Sequence, residues 1–163
     1  MQAKATPPSS KSTKDMNAIE LLKNDHAEVK ALFERFEKLG AKASKSKEEI
    51  VREACAKLTV HATVEEEIFY PAARTVEGAE DLLNEAEVEH GTAKDLIAKL
   101  DDMDSDDDMF EANFTVLSEY IQHHVKEEEG ELFPKLQKSD LDLDALGAEM
   151  AARKEELTSE VSA

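Results

Sequence analysis

His61-Ala-Thr-Val-Glu65-Glu-Glu-Ile-Phe-Tyr-Pro71 and His124-Val-Lys-Glu-Glu128-Glu-Gly-Glu-Leu-Phe-Pro134 are two copies of one pattern. Each has a histidine, a glutamate four residues later, an apolar pair near the end, and a proline ten residues after the histidine. Residues at i and i+4 share a helix face. Each copy therefore presents an imidazole and a carboxylate together, which is half of a metal site.

The flanking sequence supplies the helices. From Met16 to Leu39, Ile19, Leu22, His26, Val29, Phe33 and Phe36 fall at three- and four-residue steps, the period of an amphipathic helix. Asn17 followed by Glu20 predicts its start, and Gly40 its end. After a Lys- and Ser-rich loop, Ser46-Lys-Glu-Glu49 reads as a capping box. The second helix then places Ile50, Ala54, Leu58, His61, Glu65 and Ile68 on one side, with Pro71 at its end or at a kink. A third helix begins near Gly78 and aligns Ala79, Leu83, Ala86, His90, Ala93, Ile97 and Leu100.

The acidic run from Asp101 to Asp108 reads as a solvated loop, with Ser105 a candidate cap for the next helix. Its Asp102-x-Asp104-x-Asp106 spacing lacks the glycine and closing glutamate of a calcium loop, since Asp107 and Asn113 hold those places. The fourth helix carries Phe110, Phe114, Leu117, Ile121, His124, Glu128 and Leu132. Leu143, Leu146, Met150 and Leu157 predict a short fifth helix. No period-two alternation signals a strand. The predicted fold is all-α: an antiparallel up-and-down four-helix bundle with a short C-terminal fifth helix. The expected organisation is a disordered leader over 1–15, the bundle over 16–137, and a C-terminal helix and tail over 138–163.

The chain repeats itself. His26 and His90 are 64 residues apart, while His61 and His124, like Glu65 and Glu128, are 63 apart; Asp25-His26 also matches Glu89-His90. Two helical hairpins packed with approximate two-fold symmetry would set two half-sites face to face. A net charge of −18 opposes contact with nucleic acid or with an anionic membrane. There is no apolar run of membrane-spanning length and no apolar signal region near the start, so the cytoplasm is the expected location. One cysteine, Cys55, excludes an internal disulfide and reads as a packing residue. The bundle consumes the apolar faces, so a monomer is expected.

Four of the five histidines lie on apolar faces, one in each of the four helices. At about 100° per residue, Glu65 falls in the sector of His61 and Leu58, while Glu66 and Glu67 rotate to solvent. The same rotation puts His124 and Glu128 inside. It puts His123 and Glu127 on the far face, with Glu129 and Glu131 solvated as well. Neither Tyr70 nor Tyr120 gains a place at the site. Burying an ionised carboxylate costs several kcal/mol. Two of them beside four imidazoles call for compensation, and a metal supplies more than His–Glu ion pairs do. The predicted ligands are His26, His61, Glu65, His90, His124 and Glu128. Six nitrogen and oxygen ligands without thiolate suit two octahedral ions sharing carboxylates, with iron favoured and manganese or zinc as alternatives.

These residues resemble the hemerythrin-like family, the cation-binding branch with the signature H, HxxxE, H, HxxxE, across about Asn17 to Pro134. The resemblance implies a non-haem di-iron centre in which the four histidines are terminal ligands and the two glutamates bridge. An oxo or hydroxo group would be the third bridge. The oxygen carriers of that family have a second histidine four residues after the third-helix one, and His-x-x-x-x-Asp in the fourth helix. Here Lys94 and His-x-x-x-Glu stand instead. The resemblance thus implies an open metal position and a small ligand such as dioxygen, nitric oxide or peroxide, in stress response or sensing. An enzyme consuming peroxide or nitric oxide, and an iron buffer or donor, are the alternatives.

Overall fold

The computed structural model describes residues 12–40 and 42–162. Its helices are α1 (Ala18–Lys38), α2 (Ser44–Val64), α3 (Tyr70–Ala73), α4 (Glu80–Asp101), α5 (Phe110–Glu127), α6 (Phe133–Gln137) and α7 (Leu143–Ser162). The predicted leader lies mostly outside the described residues, and its last part, Thr13–Asp15, is a 3-10 turn. Asn17 caps α1 as expected: its side-chain oxygen accepts the Glu20 amide at 2.9 Å.

The two other predicted caps are not formed. Helix α2 is already under way at Ser44, with the Lys47 amide bonded to the Ala43 carbonyl at 2.9 Å. A tertiary tie anchors that early turn, because Lys47 is buried, pairs with Glu111 of α5, and lies over the Phe36 ring. Met109, not Ser105, precedes α5, and Asp107 accepts the Met109 amide at 2.9 Å. Gly78 has φ +83°, a left-handed conformation that suits glycine, in the turn leading into α4.

α1 packs on α2, α2 on α4, α4 on α5, and α5 on α1, which closes the four-helix bundle. Along its axis the interior is layered. One apolar end gathers Leu22, Phe69, Leu83, Phe133 and Met150. The other gathers Phe33, Val51, Leu100, Phe110 and Phe114. Between them lies a buried polar layer of Asp25, His26, His61, Glu65, His90, His124 and Glu128. Arg52 ties the hairpins at the second end by donating to the carbonyls of Leu100, at 2.7 Å, and Met103. These carbonyls lie at the C-terminus of α4, where helical partners run out. Cys55 is buried in that end, and burial, aided by Asp101, pushes its thiol up to about 12.

Pro71 and Pro134 neither end their helices nor interrupt the core. Glu65–Phe69 and Glu128–Leu132 are single turns of π-helix, in which the Tyr70 and Phe133 amides donate to the Glu65 and Glu128 carbonyls. A helical proline lacks a donor and crowds the carbonyl four residues back. A widened turn just before the proline accommodates both defects, and the helix resumes as α3 or α6. The wider turn changes the direction in which the next side chains point. Ile68, predicted to face inward, is only half-buried, whereas Phe69 and Tyr70 are buried.

The fifth helix is not short: α7 spans 20 residues and packs on α1 and α2. A Cβ placed on Gly147 would lie 2.6 Å from the Asn17 carbonyl carbon and the Met16 oxygen, so α7 touches the start of α1 backbone to backbone. Arg153 donates to both carboxylate oxygens of Glu67, at 2.8 and 3.3 Å, and Lys154 donates to Asp25 at 2.5 Å.

The glycines give a paired test. Gly147→Ala meets backbone that cannot yield, and should destabilise the chain by about 1–3 kcal/mol. Gly91→Ala, in α4 with nothing within 4 Å of the added methyl, should stabilise it by about 0.5–1 kcal/mol. Urea midpoints measure both, and equal signs would contradict the packing described.

Candidate metal centre

Glu65 and Glu128 each open a π turn, and both are buried, at 0% and 3% exposure. Glu65 Oε1 lies 3.0 Å from Nε2 of His61 on its own helix and 3.3 Å from Nε2 of His90 on the other hairpin. Glu128 repeats this, 3.0 Å from His124 Nε2 and 3.5 Å from His26 Nε2. Two triads emerge that could each take a cation: His26, His61 and Glu128, and Glu65, His90 and His124. Each triad draws its histidines from one hairpin and its glutamate from the other. Neither hairpin holds a complete one.

All six predicted ligands therefore converge. Six of their buried atoms have no hydrogen-bond partner: His26 Nδ1 and Nε2, both Glu65 oxygens, His90 Nδ1 and Glu128 Oε1. Buried polar atoms are nearly always paired, so the four of these that face the centre, His26 Nε2, both Glu65 oxygens and Glu128 Oε1, ask for an explanation. Four imidazoles and two carboxylates around one centre are a donor set that a cation fits.

An outer ring of carboxylates follows the same repeat. His61 Nδ1 is 2.8 Å from Asp25 and His124 Nδ1 is 3.2 Å from Glu89. His26 Nδ1 is 3.7 Å from Glu129 and His90 Nδ1 is 3.7 Å from Glu66, ion-pair distances rather than hydrogen bonds. A carboxylate on Nδ1 fixes the tautomer and aims Nε2 at the centre. Glu66 and Glu129, expected in solvent, are half-buried instead, because the π turn holds its second residue beside a histidine of the opposite hairpin.

Tyr70 is the residue that uniform rotation misses. It is 5% exposed, and its hydroxyl donates to Glu128 at 2.7 Å. The same oxygen stands 3.1 Å from His90 Nε2 and 3.4 Å from His124 Nε2. A turn of constant 100° per residue points Tyr70 away; the extra residue in the π turn brings it in. The signal was present in Pro71, which makes a regular α turn before it unfavourable. The repeat partner of Tyr70 is Phe133, whose ring lies parallel to that of His26 with centroids 6.1 Å apart. The hydroxyl thus breaks the two-fold symmetry. As expected, the His123 side chain is 64% exposed; it pairs with Glu127 at 3.0 Å. Together with Glu89 these form a third, outer cluster. Lys94 is bonded to Glu66 at the surface, and Tyr120 is exposed.

Charge at the centre is set by competition. Burial pulls His61 and His124 toward neutrality, but the adjoining carboxylates outweigh it. His61 is held well above the usual imidazole range by Glu65 and Asp25, and His124 at about 9 by Glu128, Glu65 and Glu89. Burial pushes Glu65 up, and His61 and His90 bring it well below the carboxylate range. The Tyr70 phenol is held up by burial and by the charges of Glu65 and Glu128.

In the metal-free chain these shifts have a defined sign. The raised histidines contribute stability that is full below about 6.5 and lost as pH rises through about 9. The lowered Glu65 contributes above 4.5 and is lost on acidification. The urea midpoint of metal-free protein should therefore fall from pH 6.5 toward 10, and a flat profile there would contradict this charge pattern. His124→Ala should cost at least half of the bound metal, while His123→Ala leaves metal content unchanged; equal losses would invert the assignment.

Comparison with known proteins bears on the family and the fold. The family described as "Hemerythrin HHE cation binding domain" matches residues 17–136. A solved hemerythrin HHE cation binding domain-containing protein from Mycobacterium kansasii, an Rv2633c homologue, is similar over 89% of both chains. Its TM-score is 0.74 and its identity 25%. A curated protein from Nostoc sp. (strain PCC 7120) named DNA nickase is 28% identical over 119 residues, 73% of this chain. The chain spans about a third of that relative's length, 33%. With its repeat, its helical bundle and the matched span in agreement, the chain belongs to the hemerythrin HHE cation-binding domain family.

Proposed function

We infer that the chain holds two non-haem iron ions at these triads and binds a small ligand there, dioxygen, nitric oxide or peroxide, in oxidative or nitrosative stress response or sensing. The carrying observation is the set of four donor atoms without a hydrogen bond on the central side of the histidines: His26 Nε2, both Glu65 oxygens and Glu128 Oε1. In this reading His26 and His61 hold one ion, His90 and His124 the other, and Glu65 and Glu128 are shared between them. Tyr70 is a further oxygen donor for the His90–His124 side. Imidazole, carboxylate and phenol donors without thiolate favour iron, with manganese or zinc as alternatives. Bound iron supplies Lewis-acid and redox chemistry toward the small ligand.

The protein residues do the rest. Asp25 and Glu89 keep the Nδ1 protons of His61 and His124, so Nε2 faces the centre. Lys154 offsets the charge of Asp25 on one side only. The apolar ends exclude water above and below. Consumption of the apolar faces within the bundle supports a monomer. The name of the Nostoc relative belongs to a protein about three times as long, and a charge of −18 opposes binding to a phosphate backbone.

One observation favours turnover of peroxide as a second reading. In that reading Tyr70 is not a metal ligand: its hydroxyl, 2.7 Å from Glu128, holds a proton that can be donated to a bound ligand and recovered.

Metal analysis of protein made with ample iron should find about two ions per chain, and well under one would sink the reading. The ferric protein should show a visible phenolate-to-iron absorption that Tyr70→Phe abolishes without loss of iron; an unchanged spectrum would remove Tyr70 from the ligand set. Stopped-flow mixing of reduced protein with dioxygen, nitric oxide and peroxide separates the two readings. A stable adduct that reverses on degassing supports binding, and catalytic loss of peroxide supports the enzyme.

A further inference from the structure

A chamber of about 290 Å³ lies directly against the polar layer. Its lining includes all four histidines of the centre but neither Glu65, Glu128, Tyr70 nor Phe133. The two faces of the histidine layer are therefore unlike. One is filled by the glutamates and two aromatic rings, and the other faces open space. Across that space stand Leu58, Ala93, Ile97 and Ile121, so the far wall is aliphatic. Exposed Thr59 of α2 and exposed Lys94 and Ala98 of α4 border the chamber where it opens between those helices.

The size of this space decides what it suits. A liquid water molecule takes up about 30 Å³, and a cavity of about 150 Å³ lined by aliphatic side chains accepts benzene. A diatomic gas or a peroxide would leave most of the chamber empty. Aliphatic lining that faces only solvent forgoes the dispersion contacts that an apolar molecule would make with it. Water finds polar partners at the rim, at Thr59, Lys94 and Asp101, and at Asp25 and Glu89 beside the histidines, but none along the aliphatic wall. Lys94 at the rim is already paired with Glu66, so no free cation awaits an anionic head group there.

We propose that this chamber binds a neutral, largely apolar organic molecule of one or two rings in size, held between Leu58, Ala93, Ile97 and Ile121 and the open face of the two-metal centre. Its position beside the metals rests on the two-iron reading above; its affinity for an apolar molecule rests on the chamber alone. Such an occupant places carbon next to the exposed imidazole face, so the small ligand and an organic molecule would meet at one site.

Fluorobenzene is the probe, followed by fluorine NMR on the full chain. Ala98→Trp closes the entrance from an exposed position, and Ala93→Phe fills the chamber. Binding to wild type that weakens tenfold or more in either variant, at unchanged metal content, supports the proposal. Should the core variant fail to fold, the rim variant stands, and a second measurement needs no variant: the bound resonance should broaden strongly in protein loaded with Mn²⁺ relative to Zn²⁺. Two metals per chain with no fluorobenzene binding overturns the proposal and leaves the two-metal reading intact. Binding that ignores both substitutions, or shows no broadening by Mn²⁺, also overturns it. Fluorobenzene binding that Ala98→Trp weakens, in a chain that takes up no metal, supports the chamber and overturns the two-metal reading instead.

Discussion

Two carboxylates buried in the middle of a helical bundle are the constraint on which this structure depends. Each costs several kcal/mol to desolvate, and each is compensated by reaching across the bundle. Glu65 sits between His61 and His90, and Glu128 between His124 and His26. Because each glutamate sits between a histidine of its own hairpin and one of the other, separating the hairpins removes half of its pairing. The apolar ends give the bundle its bulk, while the polar layer fixes how the halves are registered.

The prolines belong to the same design. A proline six residues after each glutamate makes a regular helix unfavourable at that point. The resulting π turn begins at the glutamate itself. It sets the second residue of each π turn, Glu66 or Glu129, beside a histidine of the opposite hairpin. It also turns Tyr70 and Phe133 inward to cover one face of the centre. π turns are frequent at functional sites, and here the physical link is direct: the widened turn decides which side chains reach the polar layer.

Around the centre the two halves differ at a few places, and these carry the chemical asymmetry. Tyr70 faces Phe133 across the pseudo-symmetry, a hydroxyl against a hydrogen. Asp25 is paired with Lys154 of α7, whereas Glu89 adjoins exposed His123 and Glu127. One half is therefore neutralised and covered by the C-terminal helix, and the other keeps a phenol inside and an acidic cluster outside. The chamber adds a further inequality, between the filled and the open face of the centre.

The sequence by itself determined the all-helical bundle, the two-hairpin repeat and the convergence of His26, His61, Glu65, His90, His124 and Glu128. Those features follow from local rules: a 3.6-residue period, i and i+4 spacing, and a repeat that brings like faces together. It also separated His123 from His124, since rotation along a regular helix is reliable over the stretch before the π turn. Only the tertiary structure decided the rest. Tyr70 enters because a turn of unequal pitch breaks the rotation count. The cap at Ser46 yields to a tie between Lys47 and Glu111, 64 residues apart. The length of α7 and its contact through Gly147 depend on a surface made by α1 and α2. The chamber is a property of space between four helices, and no residue pattern along one chain segment encodes a volume.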